Sequence, residues 1–445
     1  MKKPVRVTLK EHVERLPAGL GRHLALVPFA LRLGLAYPRS VRAIAEAERG
    51  RRCETAIVEE LRSLLAFAAK HVPFYRELLG RQGIQPDKVR TIEDWRRVPV
   101  VSKADLQQVP LNARCAAGAR GLRINTGGTS GQPLEFLLDD EAFAREWAHM
   151  HFIWRARGYR PEHLKLTFRG KHFDSGQPIR YNAVHNEYVV NANCSMNEVV
   201  RAVGALGSAS LVRWVHGYPS LVSEFAVALE QEAPRFASVL RTRLFGVLLG
   251  SEYPVPSYRL AIERILSSNI VTWYGHSEMA VLARETGQGL YESLPTYGFA
   301  EAVPSEVPGE YRLVVTSLHN RVHPFIRYDT GDLIAPESSE DGVLAFRITQ
   351  GRVGDFILDK AGRRLALTAV IFGRHHASFE QIKHVQIRDE GGGVIALVVT
   401  PRSKSVDREA LRRGFDLGDL AIDWRLELVD EPVRTATGKA PLKIV

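Results

Sequence analysis

Cysteine is nearly missing from this chain: Cys53, Cys115 and Cys194 are the three among 445 residues, far apart and never in a CxxC spacing. That scarcity argues against a disulfide framework and a structural zinc site, and it fits a reducing, cytoplasmic home. None of the three stands in a motif that marks a catalytic thiol. Long hydrophobic runs are missing too. The longest near the start, residues 24–37, is broken by Pro28 and Arg32 and is too short to span a bilayer. Its flanks lack the small-residue cleavage site of a signal peptide. It reads as a helix docked on the main domain or, alternatively, on a membrane surface, and no transmembrane segment is expected. Internal repeats and low-complexity tracts are absent.

Charge of one sign is nowhere concentrated. Lys and Arg number 60 against 50 Asp and Glu, a formal net charge of +10. Nucleic acid, an anionic membrane face or anionic substrates each account for such a balance. The cations lie scattered, in pairs such as Arg51-Arg52, Arg96-Arg97, Arg363-Arg364 and Arg412-Arg413. With no zinc-finger or RNP-like pattern, a solvated basic surface is the better reading and no nucleic-acid partner is expected. Hydrophobic content of 45% and charged content of 25% describe an ordinary globular protein. The length suits two or three domains.

What the chain does have is the stretch Thr126-Gly127-Gly128-Thr129-Ser130-Gly131-Gln132-Pro133, set between apolar segments at 122–124 and 134–138. The pattern predicts strand, loop, strand. Glycines let the backbone approach a ligand closely, and three hydroxyls with free backbone N–H groups make a nest for anionic oxygens. The loop is no Walker A sequence, because Gln132 and Pro133 stand where Lys and Ser or Thr are needed. Read alone, it fits a polyphosphate nest or a surface turn.

Helical spacing marks residues 41–82, with Leu61, Leu64, Leu65, Phe67 and Ala68 on the apolar side and Pro73 as a stop or a turn. Ser102 is an expected N-cap, and residues 139–157 are an expected helix begun by Asp139 or Asp140. Strands at 164–169, 210–216, 243–249 and 270–274 then alternate with helices at 197–206, 218–232 and 256–267. This alternation predicts a doubly wound α/β core, in which ligands bind beyond the carboxyl ends of the strands. Two such ends are polar: Gly250-Ser251-Glu252 and Tyr274-Gly275-His276-Ser277-Glu278. Residues 296–348 turn β-rich and include Arg327-Tyr328-Asp329-Thr330-Gly331-Asp332-Leu333. A link, Gly351-Arg352-Val353-Gly354-Asp355, precedes a small mixed unit with strands at 382–388, 393–399 and 422–429, a helix near 406–416, and Gly438-Lys439 near its end. The expected division is a large α/β domain over 1–350 with a β-rich subdomain (1–70 a helical extension), a hinge at 351–355, and a small α+β domain over 356–445.

Taken in order, these motifs resemble those of the adenylate-forming superfamily of acyl-CoA synthetases, adenylation domains and luciferases, over roughly residues 70 to 445. Within it the likeness is to phenylacetate–CoA ligase-like proteins and their capsule-biosynthesis relatives. Residues 126–133 look like the family's phosphate loop and 250–252 like its adenine-side motif. Residues 274–278 look like its Tyr-Gly-x-Thr/Ser-Glu motif, and 327–333 are similar to Tyr-x-Thr-Gly-Asp-Leu. Residues 351–355 are similar to the Gly-Arg-x-x-Asp hinge, and 434–439 look like the motif that carries a catalytic lysine. The sequence departs from the family at Gln132, at Gly354 where an Asp or Lys pivot is usual, and at Pro432-Val433-Arg434, which only approximates a Pro-Arg pair.

The resemblance implies roles. Lys439 bridges the carboxylate and the α-phosphate, Ser277 donates to an α-phosphate oxygen, and Glu278 holds Mg²⁺. Tyr274 stacks on adenine, Asp332 takes the ribose hydroxyls, and Arg352 reaches ribose or phosphate. Each has a plainer reading as well: a solvated tail lysine, a loop acid, a turn aspartate, a linker arginine. His276 is assigned to the pocket wall, since a carboxylic acid is already ionised near pH 7 and needs no base. Trp214, Tyr218 and Trp273 are offered as an acid-pocket wall, with His172 and His216 as further lining or as core. The implied activity is Mg·ATP-dependent activation of a carboxylic acid to an acyl-adenylate with release of pyrophosphate. Transfer follows to CoA or to an amine, hydroxyl or carrier thiol. The rival readings are a nucleotide-binding scaffold without turnover in a polysaccharide or secondary-metabolite pathway, and a nucleic-acid binder.

Overall fold

The computed structural model describes residues 16, 18–24, 27–50, 53–125, 134–171, 173, 176–192, 194–206, 211–252, 256–287, 289–306, 309–340, 342–350, 356–362, 364–371, 376, 378, 381–403, 405–415, 417–418, 420–434 and 440–444. The strands, in chain order, are β1 (Leu122–Asn125), β2 (Glu135–Leu138), β3 (Leu164–Lys171), β4 (Ile179–Asn182), β5 (Glu187–Asn191), β6 (Val212–Gly217), β7 (Gly246–Leu249) and β8 (Ile270–Gly275). There follow β9 (Leu282–Gly287), β10 (Leu290–Ser293), β11 (Gly298–Pro304), β12 (Tyr311–Ser317), β13 (Tyr328–Glu340) and β14 (Val343–Gln350). The last are β15 (Phe356–Leu358), β16 (Arg364–Ala366), β17 (Ile382–Gly391), β18 (Val394–Pro401), β19 (Asp423–Leu428) and β20 (Lys443–Ile444). The chain divides into two compact units: residues 1–32, 154–272 and 355–445 form one, and residues 33–153 and 273–354 the other.

The first unit holds the doubly wound part. β7, β6, β3 and β5 run parallel side by side, with the first half of β8 parallel to β7 and β4 antiparallel at the far edge. Central strands covered on both faces read as apolar runs, and β7 (Gly-Val-Leu-Leu) is buried throughout. The crossover helix Pro219–Glu232 starts where expected, with Pro at its first turn, a position where the missing N–H costs nothing. Its Val222, Phe225, Ala226 and Leu229 pack against Phe168, Val215 and Val247 of the sheet. No side chain fits at Gly217: an added Cβ would stand 2.2 Å from the Phe168 carbonyl oxygen. In the carboxyl-terminal part, β17 and β18 pair antiparallel, β19 joins β18 and β20 joins β17, both parallel. The helix Arg408–Arg413, capped by Asp407, places Leu411 in a core with Ile387, Leu397 and Val399. The chain is thus a mixed α/β protein with a smaller α+β part at its carboxyl end.

The second unit is an antiparallel sheet in the order β11, β12, β13, β14, β10, β9 and the second half of β8. The helix Glu54–His71 presents Leu61, Leu64, Leu65 and Ala68 to a core shared with Phe325, Tyr328 and Phe346. Pro73 opens the next helix, Pro73–Arg81, rather than merely ending the previous one. Ser102 caps the helix Lys103–Gln107 in a full capping box with Asp105, and Asp139 accepts from the Glu141 N–H just ahead of the helix Ala142–Arg155. The two strands expected on either side of residues 126–133 are β1 and β2, which pair antiparallel; residues 126–133, expected as a loop, lie outside the described residues. The hairpins β4–β5 and β9–β10, the helix Pro234–Arg243, and β15, β16 and β20 were not expected from the sequence.

One buried group in this unit sets an acid sensitivity. His323 lies between Phe136 and Phe325, ring centroids 6.1 and 4.8 Å away, and neither ring nitrogen has a hydrogen-bond partner among the described residues. Burial, aided by the nearby Arg114 charge, pushes its pKa down from 6.5 to about 3. The folded protein therefore holds the imidazole neutral while the unfolded chain protonates it below about pH 6.5. The stability contribution is complete above that pH and is lost as pH falls toward 3. Thermal midpoints should drop between pH 7 and pH 4, with His323 accounting for a loss on the order of 3 kcal/mol at pH 4. His323→Phe should flatten the profile. An unchanged slope in that variant, read by calorimetry across the pH range, would rule the assignment out.

Candidate active site

β7 and β8 are parallel neighbours, and one polar motif follows the carboxyl end of each. In the second unit, β8 ends at Gly275 and turns through residues 276–279, where the Met279 N–H reaches the His276 carbonyl at 3.1 Å and Met279 takes φ +51°. That turn puts Glu278 inside, 6% exposed. The Tyr328 hydroxyl donates to Oε1 at 3.1 Å and the Ser277 hydroxyl to Oε2 at 3.1 Å. Nδ1 of His276 is also 3.1 Å from Oε2, within ion-pair reach but off hydrogen-bond geometry. Tyr328 owes its place to β13, whose start is tied down by paired backbone bonds, Val101 N–H to the Arg327 carbonyl and Asp329 N–H to the Val101 carbonyl, both 2.9 Å.

Behind that strand start is a buried polar anchor. Arg327, with φ +45° and 4% exposed, sends Nε to Glu301 at 3.1 Å and Nη1 to the carbonyls of Arg96 and Val98. The Trp95 indole N–H donates to the same Glu301 oxygen at 3.0 Å. A left-handed arginine is costly in isolation, and this many fixed partners over-determine it. Beyond Tyr328 the chain turns at Gly331, φ +78°, with the Gly331 N–H on Asp329 Oδ1 at 2.9 Å and the Asp332 N–H on Thr330 Oγ1 at 3.2 Å. Asp332 is 8% exposed and accepts from the Tyr274 hydroxyl. The Tyr274 ring stands edge-on to Phe346, centroids 5.7 Å apart. The motifs at 274–278 and 327–333, separate in sequence, thus meet through two pairs: Tyr274 with Asp332, and Glu278 with Tyr328.

In the first unit, Gly250 is buried with its N–H 3.3 Å from the Gly217 carbonyl, and Ser251 takes φ +70°. Glu252 then reaches two backbone donors: Oε2 accepts from Ser220 N–H at 3.2 Å and Oε1 from Ala440 N–H at 3.1 Å. Ser220 lies in the first turn of Pro219–Glu232, where free N–H groups and the helix dipole favour a carboxylate. Ala440 directly follows Lys439 in the chain.

Thr126, Gly127, Gly128, Thr129, Ser130 and Gly131, with Arg352, Lys439 and His172, lie outside the described residues. One wall candidate, Trp214, falls in the core, and His216 takes the core place left open for it. Trp214 is fully buried, its indole N–H on His163, and His216 is 2% exposed against Trp154. Both sit on central strand β6, where side chains on either face enter the core. Tyr218, also buried, keeps its phenol protonated because burial raises its pKa. Tyr328, which ties Glu278 from outside its own turn, was quoted in the motif without a role, and the sequence gives no local signal for that pairing. Among the described residues no group of three or more His, Cys, Asp or Glu could hold a metal ion. Mg²⁺ bound largely by phosphates needs only one or two protein carboxylates, and buried Glu278 has the donor chemistry for it. No helix among the described residues is long and apolar enough to cross a membrane.

No protein-family model matches the chain. It is 26% identical to the phenylacetate-coenzyme A ligase of Thermus thermophilus over 300 residues, which is 62% of this chain and 64% of that protein. It is 26% identical to the Escherichia coli phenylacetate-coenzyme A ligase over 313 residues, 63% of this chain and 68% of that protein. The chain thus spans a little under two thirds of the Thermus ligase. Among solved structures, 2-hydroxyisobutyryl-CoA ligase with its acyl-adenylate matches with a TM-score of 0.65 at 20% identity, covering 88% of this chain and 89% of the other. An acyl acid amido synthetase matches at 0.58 and 12% identity, covering 88% and 92%. The chain is thus similar in sequence to phenylacetate-coenzyme A ligases and shares its fold with 2-hydroxyisobutyryl-CoA ligase.

Proposed function

We propose that the chain is an ATP-dependent ligase that activates a carboxylic acid as its acyl-adenylate and passes the acyl group to coenzyme A. The observation that carries this reading is the pair of buried carboxylates, Glu278 and Asp332, held in fixed turns by Tyr328 and Tyr274. Burying acids in orienting turns is costly unless they are partnered, and the chemistry of the two suits a metal ligand and a ribose acceptor. The relatives carry ligase names, which gives the rival scaffold without turnover no support.

In the first step a carboxylate oxygen attacks the α-phosphorus of ATP, the bond to the bridging oxygen breaks, and pyrophosphate leaves. Two anions must be held together against repulsion, so positioning and charge neutralisation supply the catalysis. Residues 126–131 would cradle the phosphates, and Ser277 would turn from Glu278 to an α-phosphate oxygen. Tyr274, Gly275 and residues 250–252 would line the adenine, Asp332 and Arg352 would take the ribose side, and Lys439 would bridge the two reactants as a point charge on a long stem. Mg²⁺ held by Glu278 would neutralise charge on the phosphates. In the second step the thiol of coenzyme A loses its proton and attacks the acyl carbon, and AMP leaves. Residues 351–355 are the proposed hinge that lets 356–445 reorient between steps. The names of the relatives make phenylacetate the first acid to try, and amines follow as alternative acceptors.

Asp332→Ala should weaken Mg·ATP binding roughly 10- to 100-fold, the worth of charge-assisted hydrogen bonds to a ribose. Titration calorimetry with the full chain reads it, and unaltered affinity would remove Asp332 from the nucleotide site.

A further inference from the structure

His276 is buried in the turn that carries Glu278 and has no task in the chemistry proposed above. Its side chain is 8% exposed and that of Glu278 7%. Among the described residues neither Nδ1 nor Nε2 of His276 has a hydrogen-bond partner. Two buried imidazoles elsewhere in the chain engage both nitrogens. His149 meets the Arg145 carbonyl and the Thr296 hydroxyl, and His384 the Tyr258 hydroxyl and the Glu224 carboxylate. A buried polar atom left without a partner costs free energy, so a bare one calls for an explanation. His323 is equally bare, but Phe136 and Phe325 flank it. His276 has a carboxylate beside it instead.

The turn brings the two side chains together. β8 ends at Gly275, the Met279 N–H closes on the His276 carbonyl at 3.1 Å, and Met279 takes φ +51°. His276 Nδ1 then stands 3.1 Å from Glu278 Oε2, off hydrogen-bond geometry. The distance suits a different arrangement. Two neighbouring ligands at right angles on an octahedral cation, each about 2.1 Å from it, stand about 3.0 Å apart. Tyr328 holds Oε1 at 3.1 Å and so fixes the orientation of the carboxylate, with Oε2 on the His276 side.

Donor type decides which cation such a pair selects. Carboxylate and phosphate oxygens suit Mg²⁺, whereas an imidazole nitrogen adds affinity for first-row transition ions, rising from Mn²⁺ to Co²⁺. We propose that His276 Nδ1 joins Glu278 Oε2 as a second protein ligand of the cation that accompanies ATP, and that it gives the site a preference for a transition-metal ion over Mg²⁺. Phosphate oxygens of the nucleotide and water would complete the coordination. The proposal rests on the ligase reading above and deepens it by naming the class of ion. A histidine that only fills space would leave the choice of ion to the nucleotide.

The test uses the full chain with no carboxylic acid present, so no turnover is needed. Protein carrying ¹⁵N in its histidines is loaded with Mn²⁺·ATP, and pulsed electron paramagnetic resonance reads the nuclei bonded to the ion. A ¹⁵N coupling is expected in wild type and none in His276→Ala. Glu278→Gln, which the fold should tolerate, should lose it as well. Adenine nitrogen is ¹⁴N and is not confused with it. Titration calorimetry then compares preformed Co²⁺·ATP and Mg²⁺·ATP. The ratio of the two affinities should fall at least roughly tenfold in His276→Ala, the loss that even an outer partner of a metal ligand produces. Mg²⁺·ATP affinity should change little. Comparing the ratio with that of wild type cancels the preference of the nucleotide itself. Absence of the ¹⁵N coupling in wild type overturns the proposal whatever the variants do, and so does a coupling that survives in His276→Ala. Equal weakening of both complexes, or an unchanged ratio, overturns it too. If wild type binds neither metal·ATP complex, the ligase reading fails on its own. The spectrum with Mn²⁺ alone then decides: a ¹⁵N coupling upholds the His276–Glu278 pair as a metal site, and its absence ends it.

Discussion

Lys439→Ala should lose roughly 10²- to 10³-fold in the rate of acyl-adenylate formation, the size of effect that follows removal of one preorganised charge from a reacting oxyanion. The reason is local. Attack of one anion on another needs a cation between them, and residues 126–133, proposed to cradle the phosphates, contain no lysine or arginine to supply it. The same variant should keep thioester formation from a preformed acyl-adenylate, because the carboxylate and α-phosphate are by then one molecule and the repulsion is gone. Half-reaction assays separate the two. Equal adenylation by wild type and variant would strip Lys439 of its role.

Glu278→Gln should produce the second large effect. Glutamine fits the same space: its one oxygen can accept from one of the two hydroxyls, Tyr328 and Ser277, that now hold the carboxylate at 3.1 Å each, and its NH2 can donate to the oxygen of the other, so the fold should stand. The charge is what disappears. A hard divalent cation favours an ionised oxygen ligand, and the Mg²⁺ concentration for half-maximal adenylation should rise roughly 10-fold or more. Thermal midpoints and Mg²⁺ titrations on both proteins read the outcome. A variant with normal Mg²⁺ dependence would place the metal elsewhere.

Much of the architecture was legible because it is local. Pro219 at a helix start, the Ser102 capping box and the uniform burial of β7 each follow from a few adjacent residues. The polar motifs after β7 and β8 were visible for the same reason, and their order along the chain pointed to the family. The hairpin β4–β5 was missed because its strands are four and five residues long and its turn relies on Asn186 at φ +47°, which breaks any long alternation. Trp214 was offered for a pocket wall, and His216 for lining or core, because polar and aromatic residues near a strand end look alike in sequence whether they face ligand or core. β6 lies centrally between β3 and β7, and that settles it. The pairing of Glu224 with His384 and Arg434 left no trace: partners 160 and 210 positions apart share no pattern that a linear reading detects.

The central claim is adenylation itself. Its most direct measurement is pyrophosphate release from Mg·ATP by the full chain against a pooled set of carboxylic acids headed by phenylacetate, with and without coenzyme A, followed by mass spectrometry of the products. The account predicts pyrophosphate together with an acyl-AMP when coenzyme A is withheld, and an acyl-CoA with AMP when it is supplied. ATP binding with no pyrophosphate and no acyl-AMP from any acid in the pool would contradict it.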